Sequence, residues 1–85
     1  MQLILERDAL RGLRRMPAKQ AALLLERLER IADDPFGAHP DAKRLVGVPD
    51  GYRVRQGDWR AVYRVDRNAQ IVFVEVIANR KDIYR

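Results

Sequence analysis

Residues 52–64 read Tyr-Arg-Val-Arg-Gln-Gly-Asp-Trp-Arg-Ala-Val-Tyr-Arg, and this run decides the fold. Alternation of apolar and basic side chains predicts two strands. Between them Gly57-Asp58 supplies a two-residue turn with Gly at its first central position, as a type II′ turn requires. In that register Arg55 lies opposite Arg60 and Arg53 lies opposite Val62, so three arginines share one face. Tyr52 and Val54 alternate onto the other face and belong to a core. Like charges directly opposite each other destabilise a sheet, so stability alone gives no reason for the arrangement. The pattern predicts that an anion belongs on the arginine face.

Outward from the hairpin, Pro49-Asp50-Gly51 is a turn signal and Phe36–Pro49 reads as a loop by its Pro and Gly content. On the other side, Asp66–Gln70 connects to a third strand, Ile71–Ala78, apolar on both faces except at Glu75; that predicts a central strand covered on both sides. Asn79–Arg85 reads as a polar tail. The N-terminal half opens with a strand, Gln2–Arg7, after which Asp8 is the expected N-cap of a helix Ala9–Arg15. Pro17 separates that helix from a second, Ala18 to about Ala32. There Ala21, Leu24, Leu25, Leu28, Ile31 and Ala32 form an apolar stripe at helical spacing, and Asp33-Asp34-Pro35 stops it. The order β-α-α-β-β-β predicts an α+β fold, with a helical hairpin on one face of a mainly antiparallel four-stranded sheet. The other face is left open, and it carries the arginines. No linker or repeat divides residues 1–85, so a single domain is expected.

Charge sharpens this. The chain has 85 residues and a net charge of +5, and residues 1–42 hold seven basic and seven acidic side chains against ten and five in residues 43–85. Fourteen of the seventeen basic residues are arginine, the side chain suited to bidentate phosphate recognition. A basic face of this kind points first to nucleic acid. The absence of cysteine removes disulfides and thiolate metal sites and favours a reducing, cytoplasmic setting. No apolar run approaches a membrane span or a signal-peptide core. No Gly-rich phosphate loop or metal-binding spacing is present; His39 sits alone in the Gly-Ala-His-Pro loop and reads as an ordinary loop residue.

What remains is a cationic surface: Arg53, Arg55, Arg60 and Arg64 on strands, with Arg80, Lys81, Tyr84 and Arg85 beyond the last one. Guanidinium groups can clamp a phosphate and stabilise the extra charge of a pentavalent transition state. They cannot act as a general base, because arginine keeps its proton. Tyr84 is the nearby acid/base side chain, with an ordinary pKa of about 10. Residue types alone leave both binding and RNA transesterification open.

The segments Lys43-Arg44-Leu45-x-Gly47, Tyr52-Arg53-Val54-Arg55-x-Gly57-Asp58-Trp59-Arg60-Ala61-Val62-Tyr63-Arg64 and Ile77-Ala78-Asn79-Arg80-Lys81-Asp82-Ile83-Tyr84-Arg85 together resemble the RelE/ParE superfamily of type II toxin–antitoxin toxins. The likeness spans essentially the whole chain. It implies the RelE-like fold, no cofactor and no metal, and a cognate antitoxin as partner. RelE-type members cut mRNA in the ribosomal A site by 2′-hydroxyl attack; ParE-type members poison DNA gyrase without cleavage; a degenerate toxin that retains only antitoxin binding is the third reading. On the RelE reading the resemblance assigns Arg53, Arg55, Arg60, Arg80 and Tyr84 to the catalytic site, and the cationic residues around them, Lys43, Arg44, Arg64, Lys81 and Arg85, are expected to bind RNA. Two departures stand out. Asn79 occupies a position where many members carry histidine, and arginines replace the common lysines at positions 53 and 55.

Overall fold

The structure, a computed structural model, describes residues 1–83. Its elements are β1 (Gln2–Leu5), α1 (Arg7–Arg15), α2 (Ala18–Asp33), β2 (Ala42–Arg44), β3 (Gly51–Gln56), β4 (Trp59–Asp66), β5 (Ile71–Asn79) and a final turn of helix, α3 (Arg80–Ile83). The strands form one sheet in the order β1-β5-β4-β3-β2, antiparallel except for β1 beside β5. The expected helical hairpin on a mainly antiparallel sheet is present. Among the described residues the sheet has five strands, not four. The added one, β2, lies inside the expected loop 36–49 and pairs Lys43 with Arg53 and Arg44 with Tyr52. A three-residue edge strand between Pro40 and Gly47 has too little alternation to stand out against its turn-forming neighbours.

The central hairpin takes the expected register. Arg55 faces Arg60, Arg53 faces Val62, and Gly57 turns the chain at φ +60°. Odd-numbered residues of β4 point inward: Ala61, Tyr63 and Val65 are buried, while Arg60, Val62 and Arg64 line the outer face. On β5 the alternation slips between Val74 and Ile77, both buried, because Val62 pairs with Val76 but Tyr63 pairs with Val74. Glu75 is the additional residue of a β-bulge, which leaves Glu75 and Val76 together on the outer face. This bulge corrects the expectation of a strand covered on both sides. The strand is central, but its outer Phe73 is covered by the Arg64 guanidinium, 4.2 Å from the ring centre, and not by a second layer.

Leu24, Leu28, Ile31 and Ala32 of α2 and Ala9 of α1 bury their side of the helical hairpin against Val54, Tyr63, Val72, Val74 and Ile77. The first helix begins earlier than Asp8 predicts. Glu6 occupies the N-cap position without a side-chain cap bond, and its own N–H bonds the Val74 carbonyl at the end of the β1–β5 pairing. Asp8 falls in the first turn, where its carboxylate meets the positive end of the helix dipole. At Gly12 the helix touches the sheet: a Cβ built there would lie 1.6 Å from the carbonyl oxygen of Ile77.

Tyr63 is 1% exposed and stacks on Tyr52 with ring centres 5.3 Å apart. Burial, and secondarily Tyr52, push its phenol up to about 12. Its folded value therefore lies above its unfolded value, so its contribution is complete below pH 10 and disappears as pH rises through about 12. Alkaline titration followed by circular dichroism is expected to show stability falling across that window. Tyr63→Phe removes this component; a wild-type profile in the variant would contradict the assignment.

Candidate phosphate-binding groove

Sheet pairing assembles the site. Arg53 and Arg55 are two apart on β3, so they share the outer face; Lys43 lies beside Arg53 across β2, and Arg60 lies beside Arg55 across β4. The four cations, with Pro40 and Asp41, line a groove of about 270 Å³. Arg60 is turned toward the hairpin tip, its Nη1 3.5 Å from the carbonyl oxygens of Gly57 and Trp59. The structure thus brings Arg53, Arg55 and Arg60 together as the alternation predicts, and Lys43 joins them through a strand that the sequence reading placed in a loop.

The other predicted residues are placed elsewhere. Arg44 lies toward the β2–β3 loop, beside Leu45–Pro49. Arg64 is 3.5 Å from Glu75 and sits over Phe73, away from the groove. Arg80 and Lys81 line a separate cleft with Asp58, Asn79 and Asp82. That cleft is tied to the hairpin by the Arg80 N–H, which donates to the Asp58 carbonyl at 2.6 Å. Asn79 pairs with Trp59 in the sheet and its Oδ1 accepts the Lys81 N–H at 3.1 Å, so its side chain serves as a cap for α3. Tyr84 and Arg85 lie outside the described residues.

A network behind the groove had no signature in the sequence. Arg27 of α2 reaches across to the Asp41 carboxylate and donates through Nε to Gln56 Oε1 at 2.6 Å; Gln56 in turn donates to Gln20 at 3.2 Å. One helical arginine thereby holds the start of β2 and the end of β3, and occupies the one carboxylate among the groove's described lining residues. Arg27→Ala is expected to cost about 1 kcal/mol, since both partners are partly solvated. The measurement is urea unfolding; an unchanged midpoint would remove this support from the account.

Chemically, the groove offers concentrated positive charge at fixed spacing. It can hold a phosphodiester and stabilise charge that develops on it. The sequence pattern of the ParE toxins of type II toxin–antitoxin systems (parDE) matches residues 3–84. The chain belongs to this toxin family. Within the wider RelE/ParE superfamily, this toxin is 28% identical over 82 residues to a Methanocaldococcus jannaschii protein named as toxin RelE1, covering 95% of this chain and 91% of that one. Its fold matches a chain of the E. coli RelBE toxin–antitoxin complex with a TM-score of 0.77 and 25% identity, over 92% of the toxin and 94% of that chain. A chain of the archaeal RelE–RelB complex from Pyrococcus horikoshii OT3 matches in fold with a TM-score of 0.79 at 21% identity, over 95% and 96%. No helix among the described residues is long and apolar enough to cross a membrane.

Proposed function

We propose that this toxin is a ribosome-dependent endoribonuclease that cuts mRNA. The observation that carries the reading is the convergence of Lys43, Arg53, Arg55 and Arg60 in one groove, with Arg55 and Arg60 directly opposite each other. A like-charge pair at that position opposes folding, and a bound phosphodiester relieves it. In the reaction the substrate's 2′-oxygen forms a bond to phosphorus and the bond to the 5′-oxygen breaks. The products are a 2′,3′-cyclic phosphate and a 5′-hydroxyl. Arg53, Arg55 and Arg60 stabilise the charge on the phosphorane, and Arg80 binds the flanking backbone from the next cleft. None of these arginines takes the 2′-hydroxyl proton; it passes to water, and water protonates the departing 5′-oxygen. Tyr84 is assigned to stacking on the substrate nucleotide or assisting the attack. Lys43, Arg44, Arg64, Lys81 and Arg85 are assigned to the surrounding RNA.

A cognate antitoxin is the expected protein partner, as the RelBE complexes of similar fold suggest. Acidic residues on it would neutralise the groove. The cytoplasm is the expected compartment, where ribosomes are available. The test is incubation of purified toxin with programmed ribosomes, followed by analysis of RNA ends. Cyclic-phosphate ends at defined codon positions support the reading; intact mRNA with toxicity retained overturns it.

One specific observation favours a second reading, a gyrase poison: the ParE toxin pattern matches residues 3–84. Loss of supercoiling activity by purified gyrase on adding toxin, with mRNA intact, would select that reading. Asn79, where the family resemblance expects histidine, caps α3 instead and bears on a third reading, a degenerate toxin that only binds its antitoxin.

A further inference from the structure

The balanced charge of residues 1–42 conceals a segregation in space. Within α1, Arg7, Arg11, Arg14 and Arg15 are all exposed, and Asp8 is the only acidic residue of the helix. At 100° per residue the four arginines occupy an arc of about 100°, opposite the face on which Ala9 and Gly12 are buried. On α2 the acids Glu26, Glu29 and Asp33 are matched by Lys19, Arg27 and Arg30, so the excess of α1 is offset by Glu6, Asp34 and Asp41, outside both helices. Among the described residues no carboxylate forms an ion pair with any of the four arginines.

Helix stability does not account for this stripe. Arg14 and Arg15 sit favourably at the negative end of the helix dipole, but Arg7 sits at the positive end. The pairs Arg7–Arg11 and Arg11–Arg15 place like charges four residues apart, which disfavours a helix. As at Arg55 and Arg60, like charges here stand side by side where stability gives no reason for them.

We infer that the exposed face of α1 is a second RNA-binding surface, one that grips the sugar-phosphate backbone of folded, double-stranded RNA. This rests on the RNA reading of the groove. A convex helix with arginines about 6 Å apart along its axis presents charge and no aromatic side chain on which a base could stack. Single-strand binders combine their charge with such aromatic platforms, whereas duplex RNA is recognised through its backbone and shape. Arginine with little exposed apolar surface also fits phosphate better than an amphipathic protein helix; Leu10, 40% exposed, is the one large apolar side chain on that face of α1. The stripe is linked to the candidate site: Arg15 lines a cleft with Trp59, Asn79 and Asp82, and Asn79 and Asp82 also line the cleft of Arg80 and Lys81.

The experiment compares wild type with the triple variant Arg7→Gln, Arg11→Gln, Arg14→Gln, whose fold is checked by thermal melting. The first probe is a labelled RNA duplex of about 20 base pairs, longer than the span of one compact duplex-binding domain. The second is a single-stranded tetranucleotide, and the third is polyglutamate. For the duplex, the triple variant is expected to bind about tenfold or more weakly, with the slope of log affinity against log salt reduced by about 3. Tetranucleotide binding, confined to the groove, stays unchanged. The corresponding Arg→Lys variant restores most of the slope. An unchanged duplex slope overturns the inference, as does binding of polyglutamate with equal affinity and equal loss in the variant. Because these readouts need no cleavage, absence of ribonuclease activity with the slope change intact would overturn only the proposed function.

Discussion

Arg60→Ala is expected to reduce ribosome-dependent mRNA cleavage by about 10²- to 10³-fold, the range seen when one preorganised donor to a developing anion is removed. The size follows from position. Arg60 faces Arg55 across the hairpin and lines the groove with Lys43 and Arg53. Its charge acts on phosphate oxygens that become more negative as the 2′-oxygen attacks, so truncation lowers the cleavage step more than binding. Single-turnover rates at saturating ribosome concentration measure this directly. The fold should be undisturbed, because removing one of two opposed like charges relieves repulsion. A variant that is as stable as wild type, or slightly more so, and nearly inactive is the expected combination. Equal losses of stability and activity would point to a merely structural arginine.

The second large effect lies far from the groove. Gly12→Ala is expected to destabilise the toxin by about 3 kcal/mol or more. In an isolated helix the same change would stabilise by about 1 kcal/mol, so the sign itself is diagnostic. The new Cβ meets the Ile77 carbonyl oxygen at 1.6 Å and its carbon at 2.5 Å, both backbone atoms of a central strand. Relief requires α1 to move away from β5. For a chain of this size the melting temperature should fall by about 12 °C or more. Gly47→Ala is the comparison: nothing lies within 4 Å of that Cβ, but φ is +77°, so about 1 kcal/mol of backbone strain is expected. Equal melting temperatures for the two variants would contradict the close approach of α1 to the sheet.

Gly12 also shows where sequence reading stopped. Alternation from Tyr52 to Arg64 and the Gly57 turn specify the hairpin locally, so its register, its arginine face and the Trp59–Asp66 strand were legible. A helix–strand contact depends on two segments 65 residues apart, and nothing in residues 7–15 announces it. The same limit applies to β2, which exists because β3 offers it an edge, and to the Glu75 bulge, which breaks the period on which strand reading depends. Of the proposed site, Arg53, Arg55 and Arg60 were legible as one face. Arg80 follows the strand neighbouring Arg60 but opens a cleft of its own, and Arg64 is drawn to Glu75. The Arg27–Asp41–Gln56 network combines three elements and has no one-dimensional pattern. The α1 stripe was hidden for a simpler reason: net charge over 42 residues averages a basic helix with a neutral one and with Glu6, Asp34 and Asp41 outside them.

The central claim is that the arginine groove cuts RNA. It is tested most directly by mapping mRNA 5′ ends in cells after induction of the toxin without antitoxin, beside an Arg60→Ala strain. The account predicts new ends in register with codons in the wild type and their loss in the variant. Growth arrest with no new mRNA ends would contradict it.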